Sequence, residues 1–593
     1  MNRRIPLDLG RLPEAERQFD LIVVGAGGAG LTAALCAAID GARVLLIERT
    51  AQVGGTTALS GGTTWVPLTH HAATVNPGDS AAAVERYLDL AVGDRAPRAL
   101  REAFIRHGAE AIAHIEAHSE VRWRACARHP DYLSELEGST VCGRALEPLP
   151  FDGRRLGPLF ALLRAPIPEF TVLGGMMVDR TDINHLLGMR RSLRSARHAA
   201  WLLGRHAIDR LRHPRGTRLV MGNALVGRLL LSLSQHDGAH LALDTALVAL
   251  HRADGGCGAV EAVSVEQGGR RLRLGTRCGV ILASGGFNRH PERRAALLPG
   301  IDAAWCPGAP GHTGRAQDAA EAVGAAPGPT GLSVAFWAPV SRRRRADGSE
   351  AVFPHFLMDR AKPGFISVNA RGERFVNEST SYHLFGLAMQ RPENQATPAW
   401  LVCDQRALQA YGIGMVRPGG QGLAPFQADG YLISAPTLAD LAGRIGVPPQ
   451  ALQATVARFN TLAERGEDSD FGRGLTAYQR HMGDAAWIGP NPNLGPLRQA
   501  PFHAVRLWPG DIGAASGLQT DANARVLAAS GEAIAGLWAV GNDMHSLMGG
   551  VYTGPGITIG PGVVFAWRAS RDALARRAPA AASLSSSSAV SIA

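Results

Sequence analysis

The sequence predicts an α/β fold: a Rossmann-like dinucleotide-binding domain interrupted by an inserted α+β substrate domain. Three observations predict it. Residues 19–62 read strand, glycine-rich turn, helix, strand. Residues 536–562 form a second glycine-rich segment far along the chain. Between them, from about 330 to 508, the pattern changes and no nucleotide signature is present. The expected organisation is a first dinucleotide-domain part at 15–330 with a basic helical insertion at 187–218. A substrate (catalytic) domain follows at 331–508, then a second dinucleotide-domain part at 509–576 and a disordered tail at 577–593.

Residues 21–24 are a short apolar run suited to a buried parallel strand. Gly25, Gly27 and Gly30 then give G-x-G-x-x-G, with Gly28 inside the turn. The first glycine permits the tight turn, the second lets a pyrophosphate approach the backbone, and the third lets the helix pack on the sheet. The helix at 31–39 turns its N-terminal N–H groups and positive dipole end toward phosphate. After Gly41 comes a strand at 44–47 and then Glu48, eighteen residues past Gly30. An acid there accepts hydrogen bonds from the adenosine ribose and disfavours a 2′-phosphate; Arg49 follows it. Gly55, Thr56, Thr57, Ser60, Gly61 and Gly62 are small residues suited to backbone and hydroxyl contacts with a bound flavin.

A helix is expected at 223–235, strands at 241–251 and 260–265, and a buried strand at 279–283 that runs into Ser284 and Gly285. A last strand at 534–540 delivers Gly541 and Asn542 at its C-terminal end, where ligands bind in such sheets. Thr558 and Ile559 complete the cofactor-binding set. No second complete G-x-G-x-x-G with its strand and acid is present, so no separate NAD(P)H domain is expected.

The chain has 593 residues and a formal net charge of +10, carried almost wholly by Arg. No nucleic-acid motif accompanies that charge, and a solvated basic surface is the plainer reading. Seven scattered Cys form no C-x-x-C and no metal-ligand spacing, which suits reduced thiols in a cytoplasm and no metal site. The N-terminus lacks an apolar signal core, and no stretch reads as a membrane span. In the 187–218 block, Leu193, Ala200, Trp201, Ile208 and Leu211 fall roughly on one helical face with Arg elsewhere. That pattern fits either a surface helix packed on its own domain or peripheral contact with the inner face of an anionic membrane.

GGTTALSGGTTWVP, PGFISVNARGERFVNESTSY at residues 363–382, GLWAVGN and GGVYTGPGITIGPG occur in that order over nearly the whole chain. The sequence thereby resembles the flavoprotein superfamily of fumarate reductase and the 3-ketosteroid dehydrogenases. Fumarate reductases carry a His where Tyr552 stands and an Arg shortly after, and these hold a dicarboxylate. Here Tyr552 is followed by Gly-Pro-Gly with no cation until Arg568, and a dicarboxylate would be desolvated without its counter-charge. Tyr-x-Gly-Pro-Gly resembles the FAD-dependent 3-ketosteroid 1-dehydrogenases. Arg371 and Arg374 lie in the shared RGERFVNE motif, where a fumarate-reductase type of proton donor stays open.

The resemblance implies non-covalent FAD, Tyr382 as catalytic base, Tyr132 as its supporting tyrosine, and Tyr552 with the Gly556 N–H as the pair binding the substrate carbonyl. His129 stands where some members have another tyrosine, and the 187–218 block is an insertion relative to shorter members. His70 and His71 lie too far along for the superfamily's usual covalent flavin link. The implied substrate is a steroid or similar apolar cyclic ketone, with an external electron acceptor such as a quinone. Two other readings are a flavin-dependent enone reductase and a non-catalytic flavin electron carrier.

Overall fold

The computed structural model describes residues 6–356 and 359–576; the tail at 577–593 lies outside the described residues. The dinucleotide-binding part is built on an eight-stranded sheet. Its parallel core places Val44–Ile47 between Ala239–Ala242 and Gln18–Val24, and Arg270–Leu282 on the far side of Gln18–Val24. Ala533–Ala539 pairs in parallel with the end of Arg270–Leu282. The register aligns Val24 with Ile47 and Leu282, and Leu282 with Ala539. Four strands therefore end on one line, and the residues after them emerge at one edge. Leu21, Ile22, Val23 and Val44 to Leu46 are fully buried, because helices cover both faces of a parallel sheet.

The first helix, Gly28–Ile39, starts within the glycine turn. A Cβ on Gly30 would stand 1.8 Å from the Gly25 carbonyl oxygen, so the close packing of helix on turn requires glycine at 30. The last helix, Ile559–Leu574, packs beside it, with the Ser570 hydroxyl donating to the Ala33 carbonyl at 2.9 Å. The 536–562 segment is thus returned onto the N-terminal turn.

The second layer is a six-stranded, mainly antiparallel sheet made from Glu350–Pro354, Ala335–Arg344, Phe502–Ala514, Ala399–Asp404, Phe365–Val368 and Ile433–Ala435. Helices such as Pro449–Arg465 bury Leu452, Val456 and Phe459 against it. The expected boundary at 508 is corrected here. Phe502–Ala514 is one strand paired with Ala335–Arg344 along its whole second half, so the inserted sheet extends to Ala514.

Three local expectations also change. The strand expected at 241–251 is two strands, Ala239–Ala242 and Thr245–Arg252. Asp244, with φ of 49°, turns the chain between opposite edges of the sheet. The buried strand expected at 279–283 is the end of Arg270–Leu282, whose first half is an exposed hairpin arm. The helix expected at 223–235 occupies Met221–Leu233. In the basic block, Leu193–Arg210 is helical, but its largest apolar side chains face outward. Ala199, Leu202, His206 and Asp209 form the buried face, while Leu193 is 88% exposed and Ile208 64%. Among the described residues no helix is long and apolar enough to cross a membrane.

Candidate active site

A single cavity runs from the glycine turn along the strand ends to a group of tyrosines. Gly25, Gly27, Gly28, Glu48, Arg49, Gly55, Thr56, Thr57, Ser60, Gly61, Gly62, Ser284, Gly285, Gly541, Asn542, Thr558 and Ile559 all line it. Gly30 does not, since it is spent on the contact between helix and turn. Gly27 has open space where a Cβ would stand, leaving the backbone approachable. The Glu48 carboxylate accepts the Ala26 N–H at 2.9 Å and the Thr50 N–H at 2.9 Å, which fixes it at the end of its strand.

Other parts of this end carry no signal in the sequence. Asp543 is fully buried and accepts from the Ser284 backbone N–H, the Ser284 hydroxyl at 3.0 Å and the Gly286 N–H at 3.0 Å. It thereby pins the loop after Arg270–Leu282 to the loop after Ala533–Ala539. The loop at 308–312 closes over the cavity, with the Ala309 N–H on the Thr56 hydroxyl at 2.9 Å and His312 Nε2 3.3 Å from the same oxygen. Burial lowers His312 to about 4, so it stays neutral. Arg164 reaches in from the helical region and donates to Thr50 Oγ1 at 2.9 Å. His70 and His71 do not line the cavity; both bond Glu116.

At the far end, Tyr132, Tyr382 and Tyr552 converge. The Tyr132 hydroxyl donates to the Tyr382 hydroxyl at 3.1 Å. The Tyr382 and Tyr552 ring centroids are 5.0 Å apart, and Tyr132 and Tyr552 stack at 5.5 Å. Each ring reaches this point differently. Tyr382 opens the helix Tyr382–Gln390, whose preceding Ser381 caps the Leu384 N–H. Tyr552 lies in the loop between the last strand and the last helix. Tyr132 sits in a loop without regular structure and is held by a buried ion pair beside it. Asp131 accepts from Trp65 Nε1 at 2.9 Å and Arg144 Nη1 at 2.8 Å, and Arg144 also pairs with Asp79. The Tyr132 N–H and the Tyr87 hydroxyl both bond the Thr553 carbonyl, tying that loop to the one bearing Tyr552.

Burial raises the proton affinity of all three phenols, and for Tyr132 and Tyr382 it lies well above 10. Tyr478, absent from the sequence-derived set, packs 4.6 Å from Tyr132 and is pushed up to about 12 by burial. Gly556 has φ of 90°, and a Cβ there would meet the Thr63 carbonyl oxygen at 2.1 Å. Its N–H has no protein acceptor among the described residues, so beside Tyr552 it is a free donor. Phe336, Pro354, Phe356 and Ile512 make this end of the cavity apolar. Of the lining arginines Arg49, Arg164 and Arg315, the first two bond Thr313 and Thr50 near Glu48, and Arg315 follows Thr313 in the same loop, at the nucleotide end.

The family described as FAD binding domain matches residues 20–559. A 4-oxocyclohex-2-ene-1-carboxylate 5-dehydrogenase of Sinomonas cyclohexanicum is 36% identical, over 93% of this chain and 93% of its own. A 3-oxosteroid 1-dehydrogenase of Mycolicibacterium smegmatis is 34% identical, over 95% of this chain and 98% of its own. Among solved structures, the 3-ketosteroid delta1-dehydrogenase of Sterolibacterium denitrificans, in complex with 1,4-androstadiene-3,17-dione, superposes with a TM-score of 0.87. Its identity is 32%, and the match covers 94% of this chain and all of that one.

The residues present fit FAD. The open backbone at Gly27, the helix N-terminus at Gly28 and the fixed Glu48 carboxylate suit pyrophosphate and ribose. The cavity then continues past Thr57, Ser60 and Asn542 to the tyrosines, and those residues would hold the flavin part of the cofactor.

Proposed function

The chain belongs to the FAD binding domain family, and from that premise we propose that it removes hydrogen from adjacent carbons of a cyclic ketone, by 1,2-dehydrogenation of a 3-ketosteroid. The observation that carries this reading is the convergence of Tyr132, Tyr382 and Tyr552 at the apolar end of the FAD cavity. FAD, bound non-covalently, supplies the acceptor for the hydride leaving the β carbon. Tyr552 O–H and Gly556 N–H grip the ketone oxygen, and their bonds strengthen as enolate charge develops there. The raised proton affinity of Tyr552 keeps it a neutral donor, as this task needs. Tyr382 takes the proton from the α carbon. Tyr132 is hydrogen-bonded to Tyr382, so once either phenol loses its proton the other donates to the phenolate and stabilises it. Phe336, Phe356, Pro354 and Ile512 keep water from the reacting carbons.

A second reading takes a monocyclic oxo-acid as substrate, and the 36% identity to a dehydrogenase of that type favours it. Against it, the ketone end offers Phe336, Phe356 and Ile512 where a carboxylate needs a cation. Anaerobic mixing of the holoenzyme with a 3-keto-4-ene steroid or with 4-oxocyclohexanecarboxylate separates the two. Bleaching of the flavin absorbance by the steroid is expected. Bleaching by the oxo-acid alone establishes the second reading. Bleaching by neither, with reoxidation of chemically reduced enzyme by an enone, replaces both with a reductase.

The same proposal includes contact of the Leu193–Arg210 helix with an anionic membrane surface. Leu193, Trp201, Ile208 and Leu211 are exposed and flanked by exposed Arg191, Arg194, Arg197, Arg210 and Arg212. Apolar side chains ringed by Arg fit the headgroup boundary, where an apolar steroid and a quinone acceptor partition. Co-sedimentation with anionic vesicles, reduced for Trp201→Glu and absent with neutral lipid, is the expected result. Equal recovery with and without vesicles rejects this contact.

A further inference from the structure

We propose that Arg360 is a positioning residue for the base: it ties the chain just before Tyr382 to the 355–356 segment beside it and supplies positive charge against which the Tyr132–Tyr382 pair carries an anion. The proposal rests on the reading of Tyr382 as base.

Arg360 is 1% exposed. Its guanidinium donates to the backbone carbonyls of His355 at 3.0 Å, Phe356 at 3.3 Å, Glu378 at 2.5 Å and Thr380 at 2.7 Å, and it also faces the Tyr478 hydroxyl. Among the described residues no carboxylate forms an ion pair with it. Several other deeply buried arginines are ion-paired instead, although Arg228 likewise donates to backbone carbonyls. Arg374 and Arg473 share the Glu378 carboxylate, and Arg144 lies between Asp79 and Asp131. Burial opposes the charge on Arg360 while the Asp359 carboxylate and the phenols of Tyr478 and Tyr132 favour it, so an anion on the tyrosine pair would add to what holds the buried guanidinium.

The four carbonyls mark where Arg360 acts. Two precede the helix that begins at Tyr382. The other two belong to residues 355 and 356, and the Phe356 ring lies 4.9 Å from the Tyr382 ring on the cavity wall. The clamp therefore sets the position of the base against its wall. The charge faces the same way: Arg360 favours the anionic forms of Tyr132 and Tyr478, and Tyr132 is bonded to Tyr382.

The other groups around the pair are already engaged or uncharged. Asp359 turns one carboxylate oxygen to His355 Nδ1 at 2.6 Å and the Gly414 N–H at 2.9 Å and the other to the Arg360 backbone N–H at 2.7 Å, and its charge favours that of the guanidinium. Asp131 is held by Arg144 and Trp65. His129, His481 and His383 are kept neutral by burial. Tyr478 and Tyr552 oppose further negative charge. Arg360 is the cation whose charge acts directly on Tyr132 and Tyr478.

Two variants separate charge from clamp. Arg360→Gln keeps donors for the carbonyls without charge; Arg360→Lys keeps the charge with a poorer fork. In holoenzyme, the pH midpoint of flavin reduction by a 3-keto-4-ene steroid should move up by about one unit or more in R360Q. That shift lowers the rate near neutrality by roughly tenfold, with steroid affinity little changed. R360K should keep the wild-type midpoint at a lower plateau rate. An unmoved midpoint in R360Q, or equal shifts in both, overturns the proposal. If R360Q fails to retain flavin, R360K decides, because an alkaline shift there refutes the charge role. Ultraviolet titration of tyrosinate, run against a Tyr382→Phe background, needs no steroid. It tests Arg360 even if no ketone is turned over, an outcome that would instead remove the dehydrogenase reading.

Discussion

The two ends of the cavity are built in opposite ways. The nucleotide end is mostly backbone at the ends of neighbouring strands: Gly25 follows Val24, Glu48 follows Ile47, and Ser284 and Gly541 follow shortly after their strands. Sheet register alone brings these groups together. The ketone end is side chains, with Tyr132, Tyr382, Tyr478 and Tyr552 carried in by four separate segments and held by a hydroxyl bond and ring packing. One end follows from hydrogen bonding of the main chain. The other depends on how two sheets and several loops dock.

Three experiments break or sharpen that contrast. The largest effect is expected from Tyr382→Phe. Removing a positioned general base typically costs 10²- to 10⁴-fold in rate, and the flavin spectrum should stay intact because the nucleotide end does not touch this hydroxyl. Turnover measured on flavin-replete protein checks it; near-normal turnover would take Tyr382 out of the base role.

Gly30→Ala attacks the other end. Its Cβ would lie 1.8 Å from the Gly25 carbonyl oxygen, so turn and helix must separate. A cost of about 1–3 kcal/mol is expected, as for other overpacked sites, together with weakened flavin retention. Flavin content and thermal unfolding measure it. A variant with wild-type flavin content and melting temperature would show that the turn yields more freely than its packing implies.

The third effect comes from acid and is graded with pH. Burial holds His312 and His383 at about 4 in the folded protein, below their ordinary value near 6.5. The unfolded chain therefore binds more protons between those values. The stability that neutral burial provides is fully present above about 6.5 and is lost as pH falls toward 4, by up to roughly 1.4 kcal/mol per unit for each histidine. His312 closes the nucleotide end and His383 packs 6.0 Å from Tyr552. Thermal unfolding of holoenzyme between pH 7 and 5, with and without His312→Gln, should show a flatter acid limb in the variant. Parallel limbs would assign the loss elsewhere.

Most of the nucleotide end is legible in the chain because its residues are consecutive and their spacing is set by strand and helix geometry. Glu48 and the glycines of the turn are placed by counting. Asp543 escapes such reading: it resembles any loop acid until the fold turns its carboxylate on Ser284 and Gly286. The strand that crosses residue 508 was hidden in a similar way, since pairing with Ala335–Arg344 rather than composition decides where the inserted sheet ends. Tyr132, Tyr382 and Tyr552 entered through resemblance, not periodicity. Tyr478 and Arg360 had no sequence signal, because nothing local distinguishes a phenol or guanidinium that faces a cavity from one that packs.

By itself, the sequence determined the Rossmann-like turn, its acid, the returning glycine-rich segment and the inserted sheet, all of which follow from short-range sterics and hydrogen bonding. Only the tertiary structure decided which side chains share the apolar end of the cavity, which buried arginine stands beside its tyrosines, and which face of the Leu193–Arg210 helix meets solvent. Those depend on burial and on contacts between residues hundreds of positions apart, and such contacts leave no periodic trace along the chain.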